Sequence, residues 1–452
     1  MHTHLLNPNG GWCWFQDERA LVIDDVLVFA SVAGTDGNGA KAGDVQVTSV
    51  ALDDFSEHSI TTLAPEFQSD DHDAPALLRL ADDRLAAFYQ THGNRATQAD
   101  PTLMRWRITE NPGDFTSWGP ERTLALPGLI SYANPFVLLA EGNRIYNFLR
   151  LSRSGEKPSD NNNNPHFAVS DDGGQSFRFG GRLLCWKPVA EDQKFTGVEG
   201  GRPYIQYASN GRDTIHFITS EDHPRAYDNS LYHGYVREGV IHASDGTRLE
   251  PLGADTDVGL DLRCLTRIFE GDANNVAWPV VFRLDTQGNP VALFSVQKDG
   301  APSRTEQNPA TGGMDHRYHI ARWDGARWCH REIAFAGTCL YPQENDYTGL
   351  GALHPGDPSL VVVSTNAHPH TNEPLISRTD GKRHHELFMG RDPGEGGEWA
   401  WRPLTEHSET DQLRPVIPVR ERGRDVLLWL SGDYRSWRDY DLRVMGAHLP
   451  TA

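Results

Sequence analysis

The sequence is poor in lysine, in paired cysteines and in long apolar runs, and each shortage excludes a class of protein. Only six residues are lysines, and 62 acidic against 42 basic residues give a formal net charge of −20. Nucleic-acid binding needs a concentrated cationic surface, so no nucleic-acid partner is expected. The five cysteines are odd in number and form no CxxC pair, which argues against a disulfide framework. No apolar stretch is long enough to span a membrane. No protein partner is implied.

The first residues of the chain contain no basic start followed by an apolar core. A secretory signal peptide has both features, and none is visible here. We therefore expect a cytoplasmic protein, or a secreted protein whose leader is not part of this sequence.

Turn residues followed by a short apolar run recur seven times along the chain. Glycine (43) and proline (28) are frequent, and helical periodicity is nearly absent. A spacing of about 65 residues leaves room for four strands of about five residues with their turns. The copies begin at Asp24, Asp82, Gly142, Gly211, Gly288, Gly356 and Gly423.

The even spacing predicts an all-β fold, a seven-bladed β-propeller that forms a single domain over residues 1–452. Two stacked β-sandwich domains are the alternative, but they do not account for the spacing. One copy carries the Asp-box pattern S-x-D-x-G-x-[S/T]-[W/F], from Ser170 to Phe177. Here Asp172 is expected to accept hydrogen bonds from its own turn, with Phe177 packed beneath.

Polar residues at the ends of equivalent strands would face one pocket on the propeller axis. Arg150 and Arg202 could hold the carboxylate of a uronic acid, which acidifies the neighbouring carbon-bound proton. His92 could then remove that proton, while Tyr132 or a histidine returns one to the leaving glycosidic oxygen. This chemistry needs no organic cofactor. His72, among acidic neighbours, either lines the cleft or is simply held by them.

A separate histidine cluster suggests a metal. His223 and His233 lie ten residues apart across an expected turn, and together with Cys264 they could bind Zn²⁺. Such an ion, zinc or calcium, would be structural. The alternative is a hydrogen-bonded turn without metal.

Several long motifs resemble the neuraminidase-repeat-like propeller family that includes ulvan lyases and rhamnose–glucuronate lyases. The similarity runs from about Gly10 to Tyr440. It implies a seven-bladed propeller and a polysaccharide lyase that cleaves a rhamnose–uronic acid linkage by β-elimination, leaving a 4,5-unsaturated uronate. The motifs are Gly-Gly-Trp-Cys-Trp-Phe-Gln-Asp from Gly10, Asp-His-Asp-Ala-Pro from Asp71, Tyr-Ala-Asn-Pro from Tyr132, Gly-Arg-Pro-Tyr from Gly201, Asn-Ser-Leu-Tyr-His from Asn229, and Leu-Arg-Pro from Leu413.

The resemblance also implies roles for individual residues. His92 would be the base, or base and acid in turn, with Tyr132 as its proton-transfer partner. The resemblance further implies a structural metal near His223 and His233. The remaining assignments are Arg150 and Arg202 for carboxylate neutralisation, His72 and Tyr204 for lining the cleft, and Tyr204 with Asn134 for substrate binding.

Two other functions fit parts of the sequence. A sialidase-type hydrolase could use Arg150, Arg202 and Arg414 as a carboxylate-binding trio, although no clear tyrosine–glutamate nucleophile pair is found. A propeller that binds carbohydrate without catalysis could use Trp12, Trp14 and other aromatic residues to stack sugars, although aromatic residues more often pack blades. In each case the expected partner is an acidic polysaccharide or oligosaccharide.

Overall fold

A computed structural model describes most of the 452-residue chain. Within its described part, no helix is both long and apolar enough to cross a membrane. The described residues are 1–93, 99–152, 163–186, 201–225, 227–254, 260–299, 312–342, 344–394, 397–420 and 423–450.

The chain folds into seven antiparallel sheets that follow one another in sequence. The strands of the first three sheets are β2 (Ala20–Ile23), β3 (Val26–Val32), β4 (Val45–Ala51) and β5 (His58–Ala64); β6 (Ala76–Arg79), β7 (Leu85–Tyr89), β8 (Leu103–Ile108) and β9 (Arg122–Ala125); β10 (Leu129–Leu138), β11 (Arg144–Ser152), β12 (Asn163–Ser170) and β13 (Arg178–Arg182).

The fourth sheet has six strands, because β19 also pairs with β16. Its strands are β14 (Ile205–Ser209), β15 (Thr214–Ser220), β16 (Leu231–Arg237), β17 (Val240–Ala243), β18 (Arg248–Pro251) and β19 (Thr266–Phe269). The fifth and sixth sheets comprise β20 (Val276–Leu284), β21 (Pro290–Gln297), β22 (His316–Trp323) and β23 (Trp328–Gly337); β24 (Gly351–Leu353), β25 (Leu360–Thr365), β26 (Glu386–Arg391) and β27 (Ala400–Pro403).

The seventh sheet joins the two ends of the chain. Strand β1 (His4–Asn7) pairs with the last strand, so the first strand completes the last blade and closes the ring. The remaining strands of this sheet are β28 (Asp411–Val416), β29 (Val426–Ser436) and β30 (Asp439–His448). The described helical turns are 3₁₀ turns at Asp71–Asp73, Leu139–Glu141 and Leu262–Cys264.

The seven-bladed propeller predicted from the repeat is confirmed. Each predicted copy begins in the turn before the second strand of a blade, from β3 to β29. The first strands of neighbouring blades pack against one another around the axis. A second strand such as Leu85–Tyr89 is buried on both faces, whereas the outer strand His58–Ala64 alternates exposed and half-buried residues over most of its length.

The Asp-box turn has its expected geometry. Asp172 Oδ1 accepts hydrogen bonds from the Ser176 backbone N–H (2.9 Å) and from the Ser170 hydroxyl (2.8 Å). Phe177 is buried against Trp106, with ring centroids 5.0 Å apart. The motif therefore stabilises the hairpin between β12 and β13.

Candidate active site

We call residues 11–17 the axial segment, because they contact several blades near the propeller axis. Its backbone and side chains bond to several blades, so it fixes the floor of the site. These bonds join Cys13 N–H to Asp71 O (3.0 Å), Trp14 Nε1 to Pro279 O (3.3 Å), Gln206 Nε2 to Trp14 O (2.6 Å), Asn134 Nδ2 to Phe15 O (3.2 Å), Gln16 Nε2 to His72 O (2.7 Å), and Arg414 Nη1 to Trp12 O.

The 3₁₀ turn before β6 presents His72 to the axis. Asp70 caps this turn, because its side chain accepts the His72 backbone N–H (3.0 Å). His72 Nδ1 also lies 2.7 Å from Asp70 Oδ1 and 2.8 Å from Asp71 Oδ1. The imidazole is therefore fixed between two buried carboxylates.

His92 follows β7 and stacks on His72, with ring centroids 3.9 Å apart and planes 12° from parallel. The other oxygen of Asp70, Oδ2, lies 3.1 Å from His92 Nδ1. One carboxylate thus orients both imidazole rings. His92 is the more accessible of the two, with 21% of its side chain exposed.

The contacts of His92 determine its tautomer. Ionised Asp70 can only accept, so Nδ1 carries the proton. Nε2 lies 3.3 Å from Arg150 Nη2, which can only donate, so Nε2 carries the lone pair. Neutral His92 therefore presents its basic nitrogen to the arginine and the axis.

Charges in the cluster separate the two histidines. Burial and the neighbouring His72 lower the pKa of His92 to about 4, against the opposing effect of Asp70. Burial alone would lower the pKa of His72, but Cys13 and Asp70 raise it well above its usual value. Burial would raise the pKa of Asp70, yet His92 and His72 hold it below its usual range. At neutral pH one histidine is charged and the other is neutral.

Arg150 lies near the end of β11 and packs over aromatic rings. Its Cζ atom is 4.6 Å from the Tyr132 ring centroid and 5.5 Å from that of Tyr204. Nη2 also donates to Ser131 Oγ (3.2 Å). Nε and Nη1 are buried and have no hydrogen-bond partner in the described part of the chain. None of the ion pairs found there involves Arg150.

A β-bulge in β10 turns Tyr132 toward the axis. The register with β11 shifts between Ser131 and Asn134, and Tyr132 has φ of 65°, in the left-handed region. Its hydroxyl is buried and accepts or donates no hydrogen bond within the described residues. Burial raises the pKa of Tyr132 above its usual value, although Arg150 opposes this effect. The phenol is therefore protonated at neutral pH.

Arg202 and Tyr204 precede β14 on the neighbouring blade. The Tyr204 ring centroid lies 4.8 Å from that of Phe15 and 6.4 Å from that of Tyr132. The Arg202 backbone N–H donates to Asp222 Oδ1 (3.3 Å). The half-buried Arg202 side chain forms no hydrogen bond or ion pair with a described residue. The structure thus brings His72, His92, Tyr132, Arg150 and Tyr204 together, and Arg202 lies two residues before Tyr204.

Asn134 lies beside these residues, and both polar atoms of its side chain bind the segment of residues 11–17. Its Oδ1 accepts the Asp17 backbone N–H (3.0 Å), and its Nδ2 donates to Phe15 O (3.2 Å). Both atoms hold the axial segment. Substrate contact by Asn134 stays a prediction, while the observed contacts give it a positioning role.

The predicted metal site of His223, His233 and Cys264 is wrong as a set. Strand β16 begins at Leu231, so His233 lies within the strand, where Nε2 is 3.2 Å from His216 Nδ1 and Nδ1 is 2.7 Å from Ser244 Oγ. Cys264 lies on an exposed 3₁₀ turn. The expected turn ends before His233, and the strand carries this side chain away from His223.

His223 instead lies beside two carboxylates from the loop before β24. Its Nε2 is 3.3 Å from Glu344 Oε2, and its Nδ1 is 3.8 Å from Asp346 Oδ2. These three side chains could hold a metal ion. Arg225 already neutralises Glu344 at 3.1 Å, however, so a cation would compete with a bound guanidinium. We assign no step of the reaction to a metal at this position.

The sequence predicted that acidic neighbours could hold His72, but it did not predict the contacts that Asp70 and Asp71 make beyond it. Asp70 bridges both rings, and Asp71 connects His72 to Arg414 Nη1 (2.5 Å) and to the Tyr434 hydroxyl (2.7 Å). The signal for Asp70 was present, because it lies in the same acidic run as His72. Nothing in the local sequence connects Arg414 or Tyr434 to that run, since they come from the seventh blade.

A family model described as "BNR repeat-containing family member" matches residues 40–336, about two thirds of the chain. The chain belongs to this family. The family resemblance seen in the sequence is thereby confirmed, and the BNR repeats correspond to the propeller blades. Comparison with curated protein sequences finds no match.

Solved structures resemble this BNR propeller in fold. One is described as a polysaccharide lyase of family PL25, an ulvan lyase, bound to -[GlcA(1-4)Rha3S]-; it has a TM-score of 0.66 at 14% identity over 97% of this chain and 94% of that one. A second structure, described as a PL25 ulvan lyase with no ligand named, has a TM-score of 0.66 at 14% identity over 98% of this chain and 95% of that one. An α-L-arabinofuranosidase from Fusarium graminearum is more distant, with a TM-score of 0.43, 12% identity and coverage of 82% and 91%.

Proposed function

We propose that this BNR propeller is a carbohydrate lyase that cleaves a rhamnose–uronic acid linkage by β-elimination. The observation that carries the proposal is the buried Arg150 guanidinium, which touches a neutral histidine and a phenol but has no carboxylate partner among the described residues. A buried charge is costly unless an opposite charge accompanies it. The carboxylate of a uronic acid supplies that charge.

Binding of the uronate to Arg150 prepares the hard step of the reaction. Neutralising the carboxylate stabilises the enolate-like intermediate and so acidifies the C5 proton. A guanidinium binds a carboxylate through two parallel hydrogen bonds, and each pair of donors that can do so includes Nη2. The uronate would therefore take Nη2 of Arg150 from His92 and Ser131 and use the unpartnered Nε or Nη1 as the second donor. We assign Arg202, two residues before Tyr204, to the same carboxylate.

His92 is placed to remove the proton. In the absence of substrate its Nε2 lone pair accepts from Arg150 Nη2, and Asp70 holds Nδ1–H on the other side of the ring. When Arg150 turns toward a substrate carboxylate, the lone pair is released. The low pKa of His92, about 4, keeps this nitrogen unprotonated at neutral pH.

Tyr132 is suited to complete the elimination. His92 takes the C5 proton, the electron pair forms the C4–C5 double bond, and the bond from C4 to the glycosidic oxygen breaks. The protonated Tyr132 phenol gives its proton to that oxygen. The products are a 4,5-unsaturated uronate and a free sugar hydroxyl.

The comparisons support this substrate class without identifying it. The ulvan lyase of similar fold is described with a glucuronate–rhamnose sulfate chain bound. A sialidase-type trio receives no support, because Arg414 is committed to Asp71 and to the Trp12 carbonyl. An acidic rhamnose–glucuronate oligosaccharide is therefore the first substrate to test.

The decisive experiment is incubation of the full chain with ulvan and with rhamnose–glucuronate oligosaccharides. Elimination creates a conjugated double bond that absorbs in the ultraviolet, and mass spectrometry gives products whose masses sum to that of the substrate. Hydrolysis adds one water and creates no such absorbance. Binding without either product would support a carbohydrate-binding protein and overturn the lyase.

A further inference from the structure

The hairpin between β29 and β30 projects over the candidate active site. Gly432 pairs with Asp411, the first residue of the inner strand β28, so the residues after Gly432 extend beyond that strand. The turn at the tip consists of Trp437 and Arg438. This tip therefore stands on the same face of the propeller as the 3₁₀ turn that carries His72.

The hairpin is fastened to that turn and is part of the wall of the site. The Trp437 carbonyl accepts the Asp71 backbone N–H (2.9 Å), and the Tyr434 hydroxyl donates to Asp71 Oδ2 (2.7 Å). Arg438 Nε lies 3.4 Å from Asp70 Oδ2. Asp70 Oδ2 is also the oxygen that faces His92 Nδ1, so Arg438 and His92 share one acceptor.

Arg438 differs from the buried arginines in its access to solvent. Its side chain is 34% exposed, and Asp70 is its one side-chain partner in the described part of the chain. The remaining guanidinium N–H groups have no partner among the described residues. Arg150 contacts His92 Nε2, whereas Arg438 contacts the Asp70 oxygen that faces His92 Nδ1, so the two guanidinium groups lie on opposite sides of the ring. A carboxylate held by Arg150 is therefore a different group from one held by Arg438.

The charges around the two histidines leave a positive excess. Asp71 is paired with Arg414, and Asp70 lies between His72, His92 and Arg438. Burial and Asp70 raise the pKa of Asp73 well above its usual value, which weakens this carboxyl as a source of negative charge. In a protein of net charge −20, this local excess favours an anionic ligand.

We propose that Arg438 forms an anion subsite, which binds a sulfate ester or carboxylate on the sugar next to the uronate that is cleaved. A guanidinium matches both groups with two parallel N–H donors. The inference rests on the proposed function for the identity of the cleaved sugar. Arg438 is a specificity residue, and the reaction itself uses Arg150, His92 and Tyr132.

The test compares Arg438→Gln with Arg435→Gln in the full chain. Arg435 lies on the same hairpin, is half exposed and pairs with Asp439 at 2.6 Å, so it is a matched control for loss of a guanidinium. Both variants are compared with the wild type by thermal unfolding, by kcat/KM on ultraviolet absorbance, and by calorimetric Kd. The ligands are a sulfated rhamnose–glucuronate oligosaccharide, its desulfated form, and an oligoglucuronate.

Wild type and Arg435→Gln should prefer an anion-bearing ligand over the desulfated one, and Arg438→Gln should lose that preference. The expected loss is roughly 10- to 100-fold, in KM and Kd more than in kcat, as for a hydrogen-bonded charge. Preference for the sulfated ligand assigns a sulfate subsite, and preference for the oligoglucuronate assigns a carboxylate subsite. An equal loss on every ligand would mean that Arg438 only supports Asp70, and would overturn the proposal.

The design separates this inference from the proposed function. If unsaturated product forms but Arg438→Gln keeps the wild-type preference, the subsite is wrong and the lyase stands. If no unsaturated product forms but Arg438→Gln loses its preference in Kd, the lyase is wrong and the subsite stands. If no ligand binds or is cleaved, both are wrong.

Discussion

Two arginine–tyrosine stacks lie against the axial segment, and they differ in their partners. Arg150 lies 4.6 Å from the Tyr132 ring, and Arg414 lies 4.3 Å from the Tyr434 ring. Both guanidinium groups are buried.

Arg414 is neutralised by Asp71 and by the Trp12 carbonyl, and the Tyr434 hydroxyl donates to the same carboxylate. Arg150 has a histidine and a serine as partners, and the Tyr132 hydroxyl has none within the described residues. Nε and Nη2 of Arg414 also lack a partner among the described residues, so the two stacks differ in charge and not in the number of free donors. The stack satisfied by a carboxylate fastens the seventh blade to the axis, and the unsatisfied stack, which has no carboxylate, is the one to which the proposed function assigns an anion.

The largest expected effect concerns the base beside the unsatisfied stack. His92→Ala should lower kcat by about 10²- to 10⁴-fold, because general base catalysis is lost. Oligosaccharide binding, measured by calorimetry, should survive. His58→Ala, an exposed histidine of β5, is the control and should keep wild-type turnover. Full activity of His92→Ala would remove the base from the mechanism.

Arg150→Gln should lower kcat/KM by about 10²- to 10³-fold, since one preorganised charge at the reacting group is lost. Stability should stay the same or rise, because the substitution removes a buried charge that lacks a carboxylate partner. Turnover and denaturant unfolding are measured on the same preparation. A strongly destabilised variant would show that the guanidinium is structural after all.

Arg414→Met should mainly lower stability, in contrast to Arg150→Gln, which should mainly lower turnover. It removes the cation from Asp71 Oδ2 and leaves His72 as the remaining charged partner of this buried carboxylate. Breaking such a buried pair costs about 3–5 kcal/mol of unfolding free energy. Denaturant unfolding measures this cost, and low soluble yield would agree with it. A variant as stable as the wild type would erase the distinction between the two stacks.

His72→Gln tests how the cluster sets the protonation of the base. Burial and His72 lower the pKa of His92 to about 4, so wild-type activity should persist into acid. Without the His72 charge, the pKa of His92 rises, and the acid limb of kcat/KM moves to higher pH. The profile is measured on residual activity, normalised to its maximum. An unmoved or lowered limb would contradict the electrostatic role of His72.

The smallest expected effects on stability and turnover come from substituting the two tyrosines. Tyr434→Phe removes one hydrogen bond to a buried carboxylate and should cost about 1 kcal/mol of stability, with turnover nearly unchanged. Tyr132→Phe removes a hydroxyl that has no partner in the described chain, so stability should hold while turnover falls. If Tyr434→Phe lowered turnover and Tyr132→Phe lowered stability instead, the roles assigned to the two stacks would be wrong.

The sequence by itself determined the propeller, because turn residues and apolar strands repeat and each copy lies in the turn before the second strand of a blade. It also selected His92, Tyr132 and Arg150, which lie on or just after the first or second strand of their blades and so near the axis. These are local properties, since a strand boundary and its polar neighbours can be seen within a few residues.

Only the tertiary structure decided which charges meet. Asp71 and Arg414 are 343 positions apart, yet they form one buried ion pair, while His223 and His233 are close in sequence but lie in different surroundings. The physical reason is that a propeller brings residues from every blade to one axis, and a strand carries neighbouring residues apart. The partner of a buried charge therefore depends on how the blades close into a ring, and a local sequence pattern does not predict this.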